Sequence, residues 1–402
     1  MTLSQTSARD PAGRRLASAA FEPFLEGLRG LAALYVVIHH ASLQVYGELS
    51  KPAVLLQQVC NFGHYAVAVF IVLSGYCLML PVIRNPSGTI PGGFTSYILR
   101  RARRLLPPYY ATLALVLGVM IAFPALNSPA GTRWDEALPV MDSGVIASHL
   151  ALIHNTSAHW ITKIDAPLWS IATEWQIYFG LPAILWLRRR WSAAAATIAC
   201  FAFGYAIGFG LFALGVHVAL EACPWYLGLF ALGAAAAGRA AELAGAPNVA
   251  SLRRRRLLQT LVCLGVALVF SIAESKLQLL ARHDIPRRVF VDSLAGLATA
   301  SFLLKCSHEA TRTPRLASWG LIVLEHPLVL RLGSFSYSLY LIHDPIIAWS
   351  NRLMFVHGMT NEARFWMLFL VVVPICVALA YAFYLLIERR FVSTRRVSLA
   401  SA

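Results

Sequence analysis

Long apolar runs, broken by short basic or turn-forming segments, recur along the whole chain. A helix needs about twenty apolar residues to cross a bilayer. The pattern predicts ten such helices, at roughly 25–46, 62–83, 105–125, 168–187, 193–213, 224–238, 257–273, 289–305, 332–350 and 365–387. The sixth is short and rich in alanine and glycine, which favours close helix packing. The run Val145–Ile153 is too short to span and fits a re-entrant or interfacial segment. No internal repeat and no long low-complexity linker interrupts the series. The expected organisation is an N-terminal segment, 1–24, a transmembrane domain, 25–391, and a tail, 392–402, with no separate soluble domain.

Composition agrees with that pattern. Of 402 residues, 58% are hydrophobic and only 13% charged, where a soluble chain carries about 25%. With a mean hydropathy of +0.63, the fold class expected is all-α, a polytopic transmembrane bundle. The net charge of +15 would suggest nucleic acid in a soluble protein. Here the basic residues cluster between apolar runs, so topology explains them and no nucleic-acid partner is expected. An inner N-terminus puts Arg9, Arg14, Arg15, Arg84, Arg100–Arg104, Arg188–Arg190, Arg239, Arg253–Arg256 and the Arg-rich tail on the cytoplasmic side. That is the arrangement of a multi-pass protein of the inner, cytoplasmic membrane. The loop 274–288, with Lys276, Arg282, Arg287 and Arg288, then falls outside. A span missed near it would make the count eleven and invert the later helices. Residues 1–22 are polar, so no cleaved signal peptide is expected. The seven cysteines, Cys60, Cys77, Cys200, Cys223, Cys263, Cys306 and Cys376, show no metal-ligand spacing, and no metal is expected.

Polar residues at membrane depth are the candidates for chemistry, because each is costly there. In the first span Arg29 and His40 are eleven residues apart. That is three turns plus about 20°, so both lie on one face, roughly 16 Å apart along the axis. His40 fits either a hydrogen bond within the bundle or a proton acceptor; His39, rotated by about 100°, fits packing. In the second span Ser74–Gly75 fits close packing or a single hydrogen-bond donor. Arg100, Arg101, Arg103 and Arg104 form a basic turn at the start of the third span, followed by Pro107 and Pro108. It reads equally as a positive-inside anchor or as a phosphate site. In the fourth span Ser170 and Glu174 share a face. Glu174 needs a partner at that depth; a histidine would make it the orienting half of a general-base pair, and the plainer reading is a structural hydrogen bond. The ninth span carries Ser334, Ser336, Ser338, Tyr340, His343 and Asp344, a second buried polar set. Tyr46, His64, His149, His154 and His159 stay unassigned, and the loop 126–167, with Asp135, Glu136, Asp142 and Asp165, would shape an acceptor entrance.

Taken together, these residues resemble the membrane-bound acyltransferase 3 family of integral-membrane O-acyltransferases, over nearly the whole chain. The family's Arg–ten residues–His pattern is similar to Arg29 and His40, and its phenylalanine-rich block ending in Ser-Gly to Phe70–Gly75, here with fewer aromatics. Its Arg-Arg-x-x-Arg-x-x-Pro block is similar to Arg100, Arg101, Arg104 and Pro107. Its Trp-Ser-x-x-x-Glu block is similar to Trp169, Ser170 and Glu174, and its late block to Ser336, Tyr337, Tyr340, Leu341 and His343.

The resemblance implies transfer of an acyl group, most simply acetyl, from cytosolic acyl-CoA as co-substrate, with no tightly bound cofactor. The acceptor implied is a hydroxyl of a carbohydrate: a cell-surface or exported polysaccharide, or a glycosylated metabolite. It implies His40 and Glu174 as catalytic residues. Donor and substrate binding would fall to Arg29, Arg100, Arg101, Arg104, Ser74, Ser170, Tyr340 and His343, with membrane lipid as the surrounding partner. A proton-coupled secondary transporter would share the spans and the buried histidine and glutamate.

Overall fold

The computed structural model describes residues 22–138, 142–244, 254–262, 264–266, 284–312 and 319–392. Within these residues the regular structure is helical, with no strand. Helix α1 runs from Pro23 to Ser42, with its proline in the first turn, where a missing N–H costs least. Next come α2 (Lys51–Cys60), α3 (Gly63–Arg84) and α4 (Gly93–Ala122). The segment before the fourth predicted span holds a short helix, α5 (Ser143–Leu150), in place of a re-entrant hairpin. Then follow α6 (Trp169–Tyr178), α7 (Leu181–Arg190), α8 (Ala193–Ala213) and α9 (Tyr226–Leu243). The last part comprises α10 (Asp284–Arg312), α11 (Pro327–Ser334), α12 (Ser336–Val356) and α13 (Asn361–Leu386).

Two groups of helices share α3. One is α1 against α3, α11 and α12; the other is α9 against α3, α8 and α10. The α3–α9 contact is backbone on backbone. A Cβ at Gly75 would lie 2.0 Å from Phe230 O, and one at Gly233 2.0 Å from Val72 O. Glycine on both sides is what lets the axes approach so closely.

Six helices among the described residues are long and apolar enough to cross a membrane: Lys51–Arg84, Gly93–Ala122, Ala193–Ala213, Val218–Leu243, Val289–Ala310 and Asn361–Leu386. The remaining predicted spans differ from expectation for identifiable reasons. The run 168–187 is divided into α6 and α7, because Pro182 has no N–H to give Tyr178 O. The run 332–350 is divided at Phe335, between α11 and α12. Helix α1 carries Glu26, Arg29, His39 and His40, and α12 carries His343, Asp344, Asn351 and Arg352, so both fall short on apolarity. The later part of 257–273, residues 263 and 267–273, and Lys276 and Arg282 of the outer basic loop, lie outside the described residues. From Asp284 onward that loop is already helix.

Helix α4 also begins twelve residues earlier than the apolar pattern suggests. The arginines therefore sit on its third and fourth turns, and Pro107 and Pro108 sit mid-helix instead of in the first turn. A helix beginning with polar and basic residues carries no apolar signature there, so the pattern alone misplaces its start.

Candidate functional site

Helices α1 and α12 pack together and bring His40 and His343 into contact, Nδ1 to Nε2 at 2.7 Å. The other nitrogen of His343, Nδ1, is 2.6 Å from Tyr340 O. A carbonyl oxygen only accepts, so His343 Nδ1 carries the proton. In neutral His343, Nε2 is then an acceptor, and His40 Nδ1–H donates to it. His40 Nε2 is left with its lone pair outward from this chain of bonds, the state a general base requires. His343 is fully buried and His40 half-buried. The backbone of one helix thus fixes the tautomer of two rings in succession.

His39 has a separate task. Its Nδ1 lies 2.9 Å from Cys60 O, and its ring occupies the space that a Cβ at Gly63 would need. It ties α1 to the α2–α3 junction, in keeping with its rotated position on the helix.

A polar column continues from His343 toward the beginning of α1. Tyr340 OH is 2.6 Å from Ser170 Oγ, whose hydroxyl also reaches Pro167 O at 3.1 Å. Below them, Glu174 Oε1 accepts from Ser74 Oγ and from Tyr178 OH, both at 2.5 Å. An imidazole is the partner that the sequence suggests for Glu174. The structure gives it hydroxyls from α3 and from its own next turn, while the group that orients His40 is His343. Ser74 and Ser170 likewise spend their hydroxyl protons within the protein, on Glu174 and on the Tyr340–Pro167 pair.

Arg29 stands at the same level. It pairs with Glu26 at 3.0 Å and reaches Cys77 Sγ at 3.7 Å. Glu174 and Tyr178 also lie within its electrostatic reach. Glu26 thus pairs the guanidinium in the interior, where a lone charge would be costly, and Glu174 adds to the field that holds it. The column ends at α4. Tyr97 OH donates to Tyr178 O at 3.2 Å, and Arg101, one turn further on, lies beside Tyr178 and Tyr97. Arg101 Nε is buried and donates to no partner there, and Arg104 is half-buried on the same face. Arg100 turns outward to donate to Pro91 O at 2.9 Å. The basic cluster is therefore split, with Arg101 and Arg104 toward the column and Arg100 at its rim.

Several contributors do not stand out in the sequence. Tyr178 has a readable signal, since it stands one turn from Glu174. Glu388 does not: it accepts from Ser338 N at 3.0 Å and from Ser338 Oγ at 2.5 Å, fixing the first turn of α12 from fifty residues away. Asp165, expected at a loop surface, is 1% exposed, and neither carboxylate oxygen has a hydrogen-bond partner. Burial, and after it the nearby Asp344, push its pKa well above the usual carboxylate range. His149 and His154 stack at 4.0 Å, and burial followed by the His149 charge holds His154 down to about 3, so it is neutral.

A family model described as an acyltransferase domain matches residues 22–385. The acyltransferase MdmB of Streptomyces mycarofaciens is 25% identical over 371 residues, 86% of this chain and 83% of that protein. Protein 2 in the picA locus of Rhizobium radiobacter is 30% identical over 173 residues, 42% of this chain and 82% of that protein. The peptidoglycan O-acetyltransferase OatA of Listeria monocytogenes is 25% identical over 183 residues, 43% of this chain and 26% of that protein. No solved structure matches.

Proposed function

Because the chain belongs to the acyltransferase 3 family, we propose that it moves an acyl group, most simply acetyl, from cytosolic acyl-CoA to a hydroxyl of a carbohydrate acceptor. The observation that carries this reading is the hydrogen-bonded series Tyr340 O, His343, His40. It leaves one imidazole nitrogen free to take a proton. The names of two relatives, one an acyltransferase and one a peptidoglycan O-acetyltransferase, support acyl transfer to a sugar.

In this reading the acceptor hydroxyl gives its proton to His40 Nε2 as its oxygen attacks the thioester carbonyl. The tetrahedral intermediate collapses with loss of the CoA thiolate, which takes the proton back from His40. His343 holds the His40 ring in place throughout. Arg101 and Arg104, with Arg100 at the rim, bind the phosphates of CoA. Arg29, balanced by Glu26 and Glu174, marks the turn where the pantetheine arm enters the bundle. The distance from Arg29 to His40, roughly 16 Å along α1, suits such an arm. Asp165 and Asp344 supply carboxyl groups for the hydroxyls of the acceptor. The protein works as a multi-pass enzyme of the inner membrane with its N-terminus in the cytoplasm.

The test uses purified protein in detergent with labelled acetyl-CoA and an oligosaccharide acceptor, so that no gradient exists. Acetyl transfer with release of free CoA is expected, and His40→Ala abolishes it while the protein still inserts and purifies. Turnover by His40→Ala equal to that of the unaltered protein overturns the assignment of the base. Absence of any CoA release in detergent, with gradient-dependent solute uptake once the protein is reconstituted into sealed liposomes, overturns the enzyme reading in favour of transport.

A further inference from the structure

Away from the column, three residues distant in the chain converge. His64 stands in the first turn of α3, Cys223 just before α9, and Asp292 on α10. One ligand-type atom from each, the imidazole nitrogen, the sulfur and a carboxylate oxygen, lies within 4.8 Å of the other two. His64 Nε2 is 3.1 Å from Asp292 Oδ1 and 3.1 Å from Oδ2. We propose that His64, Cys223 and Asp292 form a zinc site that clips α3, the approach to α9 and α10 together.

Three independent observations support it. Asp292 is fully buried, and its Oδ1 accepts no hydrogen bond: the neighbouring His64 Nε2 has at most one proton and meets Oδ2 with it, so Oδ1 keeps a lone pair that a cation would satisfy. Its Oδ2 accepts the indole N–H of Trp225 at 3.0 Å, the outer-shell bond that commonly orients a ligating carboxylate. Cys223 holds a φ of +52°, an unfavourable conformation for a residue with a side chain, and one that persists where the surroundings demand it.

The donor set selects the metal. Zinc takes sulfur, imidazole and carboxylate ligands in a tetrahedron at about 2.0–2.3 Å. Such bonds place ligand atoms roughly 3–4 Å apart, close to the spacing present here. A thiolate, a carboxylate and a neutral imidazole together balance one divalent cation, so the filled site carries no net charge in a low-dielectric interior. Binding releases the thiol proton of Cys223 to solvent. The fourth position falls to water beside His64, the most exposed of the three ligands.

The site borders the candidate catalytic column without belonging to it. The His64 ring stacks on Trp169 with centroids 6.2 Å apart, and Trp169 precedes Ser170. Gly63, next to His64, is the residue against which His39 rests. A clip here would hold the packing on which both α1 and α6 depend.

The full-length protein, purified without chelators, should hold about one zinc per chain by elemental analysis. Cys60→Ser, a thiol outside the cluster, should keep it, and Cys223→Ser should lose most of it. Replacement of zinc by Co2+ in the unaltered protein should give a thiolate-to-cobalt charge-transfer band, a readout that does not depend on any variant folding. Protein that purifies without metal, takes up no zinc on addition and gives no such band with Co2+ overturns the proposal. So does zinc retained in full by a folded Cys223→Ser variant.

Discussion

At the scale of single residues, the informative fact is that one histidine is held by another. In a His–carboxylate pair the partner stabilises the imidazolium by its charge. A neutral His343 supplies only an acceptor and a fixed direction. His343→Gln keeps an acceptor within reach of His40, whereas His343→Leu removes it. Turnover should therefore fall less in the glutamine variant than in the leucine variant, whose loss approaches the 10²–10⁴-fold typical of a misplaced general base. Equal losses in the two variants would show that the acceptor is not what matters. Asp165 allows a second test. Its pKa is raised in the folded state by burial and by Asp344. The unfolded chain therefore loses this proton first, near pH 4, and stability falls as pH rises from there to the elevated value. One proton corresponds to about 1.4 kcal/mol per pH unit across that window. Asp165→Asn should flatten the fall in thermal midpoint between pH 4 and 8; an unchanged pH profile would refute the assignment. Both histidines are legible in the sequence as ionisable groups in apolar runs. Their pairing is not, because 303 residues separate them and no local spacing records the contact. Glu174 is legible as a buried acid for the same reason, and its true partners, Ser74 and Tyr178, depend on how α3 meets α6.

At the scale of helices, the chain places small residues where two backbones must touch. The Ser-Gly pair of α3 divides two tasks between neighbours, since Ser74 holds Glu174 while Gly75 admits α9. Gly75→Ala should cost about 1–3 kcal/mol, the usual penalty for overpacking, and lower the thermal midpoint in detergent. A methyl group added at Gly118 on α4 would meet nothing within 4 Å. Gly118→Ala should therefore be neutral or stabilising by up to about 1 kcal/mol. A smaller loss at Gly75 than at Gly118 would contradict the packing described. Helix identities are largely visible in the apolar pattern, with α8 matching its predicted limits of 193–213. The start of α4 is not, because Gly93–Arg104 folds as helix on a largely exposed, basic stretch in which Tyr97 alone is buried, so no apolar run announces it.

For the whole molecule, the two helices that bring His40 and His343 together are long yet lack a membrane-like hydropathy. Helices α1 and α12 meet through His40 and His343, and Arg29 turns inward to Glu26 and Cys77, so their low apolarity is an internal property and not a surface one. A hydropathy threshold therefore passes them over, although the apolar runs 25–46 and 332–350 mark both in the sequence. The column has two ends whose effects should separate. Arg101→Gln removes a cation from the α4 end and should raise the KM for acyl-CoA about tenfold, with kcat nearly kept. Arg100→Gln, whose guanidinium is engaged at the rim by Pro91 O, should change KM far less. His40→Ala should instead lower kcat. A loss of kcat from Arg101→Gln as deep as that from His40→Ala would mean that the two ends are not separable.

The carboxylate of Glu388 also sets a practical boundary. The family match stops at residue 385, and a chain shortened to that point would keep every recognisable motif. It would nonetheless release the N–H and hydroxyl of Ser338, at the beginning of the helix that carries His343. Affinity tags, fusion partners and protease sites are therefore best placed beyond the 3-10 turn Glu388–Phe391. A recombinant protein trimmed to the motif limits would look complete in an alignment and would have lost the anchor of its histidine relay.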